Sequence, residues 1–250
     1  MTDLRLADLP PQTQALRGRV ILITGASSGI GRAAALHCAE QGATVILVGR
    51  DVKKLEAVYD AIEAANFPQP AIFELNLKTA NEQHYTALAK VIDEEFGQLD
   101  GLLHNAGELG QLCPLEQISP AVWHEVVQVN LTGPFLLTRA LLPLLRKGSA
   151  ARILFTSSSV GRKGRAFWGV YAVSKAGIEN LTQTLADELE NTPIKVNSLN
   201  PGATRTAMRA AAYPAEDPAT VKSAESIAPA YGFLLSEACQ WNGEQVSLVV

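Results

Sequence analysis

Tyr171 and Lys175 stand four residues apart in the run GVYAVSKAG, a spacing that puts a phenol and an ammonium on one face of a helix. A free phenol titrates near about 10, too high for a base at neutral pH. A neighbouring ammonium favours phenolate and lowers that value, and a cationic ring on a bound ligand would add to the effect. The pair can then exchange a proton with a hydroxyl or carbonyl oxygen while a hydride moves to or from the attached carbon. On an apolar helix face the same two residues also serve ordinary packing, so the pair decides nothing alone. Ser157, Ser158 and Ser159 follow an apolar run, with Ser158 thirteen residues before Tyr171. A serine hydroxyl there donates to an oxygen on which charge develops.

Chemistry of this kind needs a hydride carrier, and the stretch RVILITGASSGIG from Arg19 to Gly31 has the layout to hold one. Val20 to Ile23 form a continuous apolar run, as in a parallel strand buried on both faces. Gly25, Gly29 and Gly31 follow, and helix-favouring sequence begins at Arg32. Strand, glycine-rich turn and helix aim free N–H groups and a positive dipole end at a phosphate. Glycine matters because a Cβ would hold the backbone away from a pyrophosphate. A tight strand-to-helix turn with no ligand uses the same residues. The next strand ends in Gly49-Arg50-Asp51. An arginine there makes charge-assisted contacts to a 2′-phosphate on an adenosine ribose, so Arg50 favours NADP over NAD. A solvated arginine at a loop start is the plainer alternative.

Strand-like runs at 20–23, 44–48, 71–75, 99–103, 152–156, 195–199 and 245–249 alternate with helical stretches at 52–65, 82–96, 120–146, 171–191 and 226–236. About seven such strands predict a single α/β domain over residues 19–250, a doubly wound parallel sheet with helices on both faces. Ligands in such sheets sit at the carboxyl ends of the strands, where the residues above fall. Residues 1–18, polar and broken by Pro10-Pro11, read as an arm packed on the outside. A chain of 250 residues with 47% hydrophobic content can bury one substantial core. A net charge of −4 offers nucleic acid no basic field, and no apolar run approaches a membrane span. The N-terminus lacks a secretory pattern. Cys38, Cys113 and Cys239 show no metal spacing and suit small buried hydrophobes in a reducing cytoplasm, and no metal is expected.

With Thr24, the run TGASSGIG resembles the cofactor motif of the classical short-chain dehydrogenase/reductase family. HNAG at 104–107 is similar to that family's Asn-Asn-Ala-Gly, Val129-Asn130-Leu131 to its helix asparagine, and Asn200-Pro201-Gly202-Ala203-Thr204 to its Pro-Gly turn. Arranged in family order with Ser158, Tyr171 and Lys175, these matches span about residues 18–210, and the sequence is identified as a member. A looser resemblance, in LLHNAG and TSSSVGRKGRAFWGVYAVSK, is to its YciK-like bacterial branch.

The resemblance implies a Rossmann fold and an NADP(H)-dependent interconversion of a ketone and a secondary alcohol. It implies Tyr171 as general acid/base, Lys175 as its partner and a holder of the nicotinamide ribose, and Ser158 orienting the carbonyl. Asn130 would bend its helix and support a relay water. Implied cofactor contacts are Gly25, Ser27, Ser28, Gly29, Ile30 and Gly31 in the glycine turn, with Asn76 and Leu77 beside the adenine. Asn105, Ala106 and Gly107 would lie under the adenosine side, and Pro201, Gly202 and Thr204 by the carboxamide. Asn76 stands where the family usually has Asp, and its oxygen accepts the same bond. His104 replaces the family's first Asn, and a structural contact is expected of it.

A non-catalytic NADP(H)-sensing protein would share this fold, but it usually shows erosion of the Ser-Tyr-Lys set, which is whole here. An extended-type epimerase or dehydratase needs a longer C-terminal substrate domain. Residues 203–223, alanine-rich with Pro214 and Pro218, are expected to close over the substrate. GRKGRAFW at 161–168 is the expected pocket wall. Its Arg162, Lys163 and Arg165 read first as a solvated loop and otherwise as contacts to an acidic or acyl-carrier-linked substrate. The sequence ends at Val250 without the Asp-Gly-Gly tail that packs across a tetramer axis in many members. A homodimer through the helices carrying Asn130 and Tyr171 is therefore expected ahead of a tetramer.

Overall fold

The most apolar runs become strands with no exposed face. In β2 (Val20–Thr24) and β3 (Thr44–Gly49) the central residues are all buried, as is every residue of β5 (Gly101–His104) and β6 (Arg152–Thr156). Such strands belong at the centre of a sheet covered on both sides. Outside them lie β4 (Ala71–Glu74) beyond β3, and β7 (Lys195–Asn200), β8 (Gln245–Val249) and β1 (Thr2–Arg5) beyond β6. This computed structural model describes residues 2–249, so Val250, on which the expectation about the tail bears, lies outside them. The sheet order is β1-β8-β7-β6-β5-β2-β3-β4, and every neighbouring pair is parallel.

On one face, α1 (Gly29–Glu40), α2 (Val52–Ala64) and α9 (Ala224–Leu235) bury Cys38, Leu55, Ile62, Ile227 and Tyr231 against the sheet. On the other, α3 (Glu82–Phe96), α5 (Gly133–Leu145) and α7 (Gly169–Glu188) bury Tyr85, Leu88, Leu137, Leu141 and Ile178. The doubly wound parallel sheet expected from the alternating pattern is thus present. After β2 the chain proceeds outward through β3 and β4, then returns to β5 on β2's other side. That reversal opens a crevice at the carboxyl ends of β2 and β5.

The N-terminal segment is more than an arm. β1 pairs with β8 and adds an eighth strand, seating Leu4 against the core, and Leu16 is fully buried. The helix expected over 120–146 divides into α4 (Pro120–Val127), one π-helical stretch (Gln128–Thr132) and α5. Two short helices, α6 (Ser159–Arg162) and α8 (Ala207–Ala212), occupy stretches read from sequence as wall and loop. Among the described residues no helix is long and apolar enough to cross a membrane.

Candidate active site

The glycine-rich turn after β2 is built backbone against backbone. Gly25 has φ +68°, a region favouring glycine, and a Cβ on it would lie 2.9 Å from the Ala106 Cα. A Cβ on Gly31 would lie 2.2 Å from the Gly25 carbonyl oxygen and 2.5 Å from the Asn105 amide nitrogen. Gly31 is therefore a packing glycine, buried behind the turn and outside the cavity lining. The Thr24 hydroxyl ties the turn to β5, accepting from the backbone N–H groups of Asn105 (3.0 Å) and Ala106 (3.1 Å) and donating to the Leu103 carbonyl. A cavity of about 380 Å³ opens in front, with Ser27, Ser28, Gly29 and Ile30 at its edge where α1 begins.

At the other end of this cavity Tyr171 and Lys175 emerge from one face of α7, as their spacing predicts, and both are buried. The Lys175 ammonium donates to the Thr156 carbonyl at the end of β6 (2.8 Å) and sits 5.7 Å from the centre of the Tyr171 ring. Burial pulls the Lys175 ammonium down to about 8, with Glu179 one turn on acting in the opposite direction. Burial pushes the Tyr171 phenol up to about 12, against a smaller lowering through the Ser158 hydroxyl. The spacing predicts that the ammonium, together with a cationic ring on a bound ligand, lowers the phenol's pKa. In the structure burial is the largest influence on the phenol, and it acts upward. Ser158 caps α6 and faces the same corner.

Asn130 lies in the π-helical stretch, outside the cavity lining. Its amide nitrogen donates to the Glu108 carbonyl (2.9 Å) and the Ser174 hydroxyl (3.0 Å), while its oxygen accepts the Glu108 backbone N–H (2.8 Å). It fixes the chain just after Asn105, Ala106 and Gly107, which line the cavity. Asn105 bridges the two ends, donating to the Thr24 carbonyl and accepting from the Thr156 hydroxyl. Pro201, Gly202 and Thr204 form the wall beyond β7. Arg50 stands at the far rim, paired with Glu108 at 3.1 Å, beside exposed Asn76 and buried Leu77. The Asn76 oxygen accepts the Lys78 backbone N–H (3.1 Å).

Sequence reasoning passed over Lys78 and Glu108, which line the cavity, while Met208 and Arg209 of the 203–223 segment line it as well. A signal for Lys78 existed: it follows Asn76 by two residues, just past β4. His104 makes the expected structural contact, with its ring nitrogen 2.8 Å from the Thr138 hydroxyl and its ring stacked on Phe155 at 4.7 Å. Burial, followed by the Lys175 charge, lowers it to about 3, so it is neutral. Arg162 departs from both readings of the 161–168 wall. It turns inward to pair with Glu179 (3.1 Å) and donates to the Ser247 hydroxyl and Val246 carbonyl of β8.

The residues present fit a dinucleotide. Amide-bearing turn, rim arginine and buried ammonium share one cavity, and the Ser157 hydroxyl on its wall is buried without a hydrogen-bond partner. Comparison with known proteins points the same way. The family model described as short chain dehydrogenase matches residues 19–217. The uncharacterized oxidoreductase YciK of Escherichia coli K12 is 49% identical over 227 residues, which are 91% of this chain and 90% of that protein. A short-chain dehydrogenase structure from Shigella flexneri 2a, complexed with NADP, is 47% identical with a TM-score of 0.91, covering 94% of this chain and 98% of its own. One from Escherichia coli CFT073, complexed with NADPH, is 48% identical with a TM-score of 0.92, covering 95% and 99%. The chain belongs to the short-chain dehydrogenase family of oxidoreductases, on its YciK-like branch.

Proposed function

We propose that this chain is an NADP(H)-dependent oxidoreductase interconverting a ketone and a secondary alcohol, with Tyr171 as the proton-transfer residue. The observation that carries the reading is the single cavity joining the start of α1 and Arg50 to the corner made by Ser158, Tyr171 and Lys175. NADP and NADPH in the similar Shigella and Escherichia structures support the cofactor assignment. When bound, the dinucleotide supplies or accepts the hydride.

The chain's own residues do the rest. The amides at the start of α1 receive the pyrophosphate, with Gly25, Ser27, Ser28, Gly29 and Ile30 as the turn around it and Gly31 allowing the close approach. Arg50 exchanges its contact with Glu108 for the 2′-phosphate, a stronger acceptor. Asn76, Leu77, Asn105, Ala106 and Gly107 wall the adenosine side, and Pro201, Gly202 and Thr204 the carboxamide side. Lys175 offers N–H donors to the nicotinamide ribose, Ser158 donates to the substrate oxygen, and Tyr171 gives that oxygen its proton. Asn130 positions the strand end opposite.

Two large apolar side chains, Phe135 on α5 and Val173 on α7, are 46% and 50% exposed, which supports a homodimer through these helices. Three buried, unpaired cysteines fit a cytoplasmic setting. Fluorescence titration with NADPH and NADH, followed by a carbonyl panel, tests the reading. NADPH is expected to bind more tightly, Arg50→Ala to erase the preference, and at least one ketone to oxidise NADPH. Equal affinities in the parent would overturn the cofactor assignment. Tight NADPH binding with no turnover of any carbonyl would turn the reading toward a non-catalytic sensor.

A further inference from the structure

A second cleft, of about 390 Å³, opens beside the reacting corner and shares Ser158, Trp168 and Arg209 with the main cavity. Its outer wall adds Lys163, Arg165 and Tyr213, and among the described residues no carboxylate lines it. Arg209 is already balanced, bound through two nitrogens to Glu216 (2.6 and 2.7 Å) and lying 3.7 Å over the Tyr213 ring. Arg165 donates to the Tyr213 hydroxyl (2.9 Å), and both it and Lys163 are exposed residues of the cleft lining. Among the described residues neither Lys163 nor Arg165 pairs with a carboxylate. Arg162, the remaining cation of this stretch, spends its charge on Glu179 in the interior. Two uncompensated cations therefore face a cleft that opens onto the Ser158 hydroxyl, and one of them donates to a neighbouring phenol.

We propose that the substrate carries an anionic group, a carboxylate or a phosphate ester, at a distance from its reacting carbon, and that Lys163 and Arg165 receive it in this cleft. The proposal rests on the reading of the Ser158–Tyr171 corner as the place of carbonyl reduction. An anion placed there offers charge-assisted hydrogen bonds and fixes which end of the molecule meets Ser158.

The test uses the NADPH-loaded enzyme and matched probes: 4-oxopentanoate and 7-oxooctanoate, their methyl esters, and an oxoalkyl phosphate of the longer length. Binding is followed by tryptophan fluorescence, since Trp168 lines the cleft, and turnover by NADPH oxidation. One of the anions is expected to bind at least about 10-fold more tightly than its neutral counterpart, a preference that shrinks as salt rises. Comparison of the phosphate with the carboxylate of the same length assigns the anion. Lys163→Glu with Arg165→Glu is expected to reverse the order of acid and ester while leaving NADPH affinity unchanged. Esters bound and turned over as well as acids, or a preference unmoved by the double substitution, would overturn the cleft and leave the reductase reading standing. Charge-dependent binding of the acids without turnover would uphold the cleft and remove the reductase reading. Failure of every probe to bind the loaded enzyme would overturn the cleft.

Discussion

The two ends of the main cavity carry positive charge in opposite ways. At one end the Arg50 side chain is 58% exposed and shares Glu108 with Lys78, which also pairs with Glu125. At the other, Lys175 is 4% exposed and its ammonium rests on a single backbone carbonyl. Water screens the first charge, so it can attract an anion and exchange partners at little cost. The second is stripped of water, so its protonation is lowered and becomes sensitive to every neighbour. Under the proposed function, recognition falls to the solvated end and proton chemistry to the dry one.

This contrast predicts graded losses. The most severe is Gly31→Ala, because its methyl would occupy the space of the Gly25 carbonyl and Asn105 amide, and the turn joining both ends would move. NADPH affinity should therefore fall sharply while circular dichroism still shows the sheet. Normal affinity in this variant would mean the turn does not hold the cofactor.

Next comes Glu179, which anchors the buried end through Arg162 and accepts from the Ser198 hydroxyl (2.7 Å). Removing one partner of a buried ion pair typically costs about 3–5 kcal/mol, so Glu179→Ala should lose that much in urea unfolding. Arg162→Met combined with Glu179→Met should regain most of it. A loss below about 1 kcal/mol would place the pair with surface salt bridges instead.

His104 gives a pH signature of the dry interior. Its pKa falls from the ordinary 6.5 to about 3 on folding, so between these values the unfolded chain binds the additional proton. Stability contributed by the neutral ring is whole above 6.5 and declines toward pH 3, at about 1.4 kcal/mol per pH unit for this one group. His104→Asn should flatten the profile by that slope, and an unchanged profile would contradict the assignment. The smallest effect is expected at the wet end. Glu108→Gln should alter stability by less than about 1 kcal/mol and tighten NADPH binding a few-fold by freeing Arg50.

The features legible in the sequence were those whose causes are local. The glycine turn, the shared helix face of Tyr171 and Lys175, and the alternation of strand and helix depend on residues a few positions apart. β1 was illegible because one side chain of its four, Leu4, is buried, and its partner strand lies at the other end of the chain. Arg162 resembled a loop cation because its ligands, Glu179, Val246 and Ser247, are 17, 84 and 85 residues away. The phenol's upward shift also escaped prediction. Spacing says which groups are near each other, whereas the depth of burial that decides between ammonium and desolvation is a property of the packed whole.

The central claim, that Tyr171 supplies the proton at the buried end, is tested most directly by Tyr171→Phe. The change removes the phenolic oxygen and keeps the ring that packs 5.8 Å from Trp168. NADPH titration and single-turnover reduction of an active ketone should be measured on the same preparation. The account predicts unchanged NADPH affinity and a rate reduced by about 10²–10⁴-fold, the usual contribution of a positioned general acid. Turnover at the parent rate would contradict it.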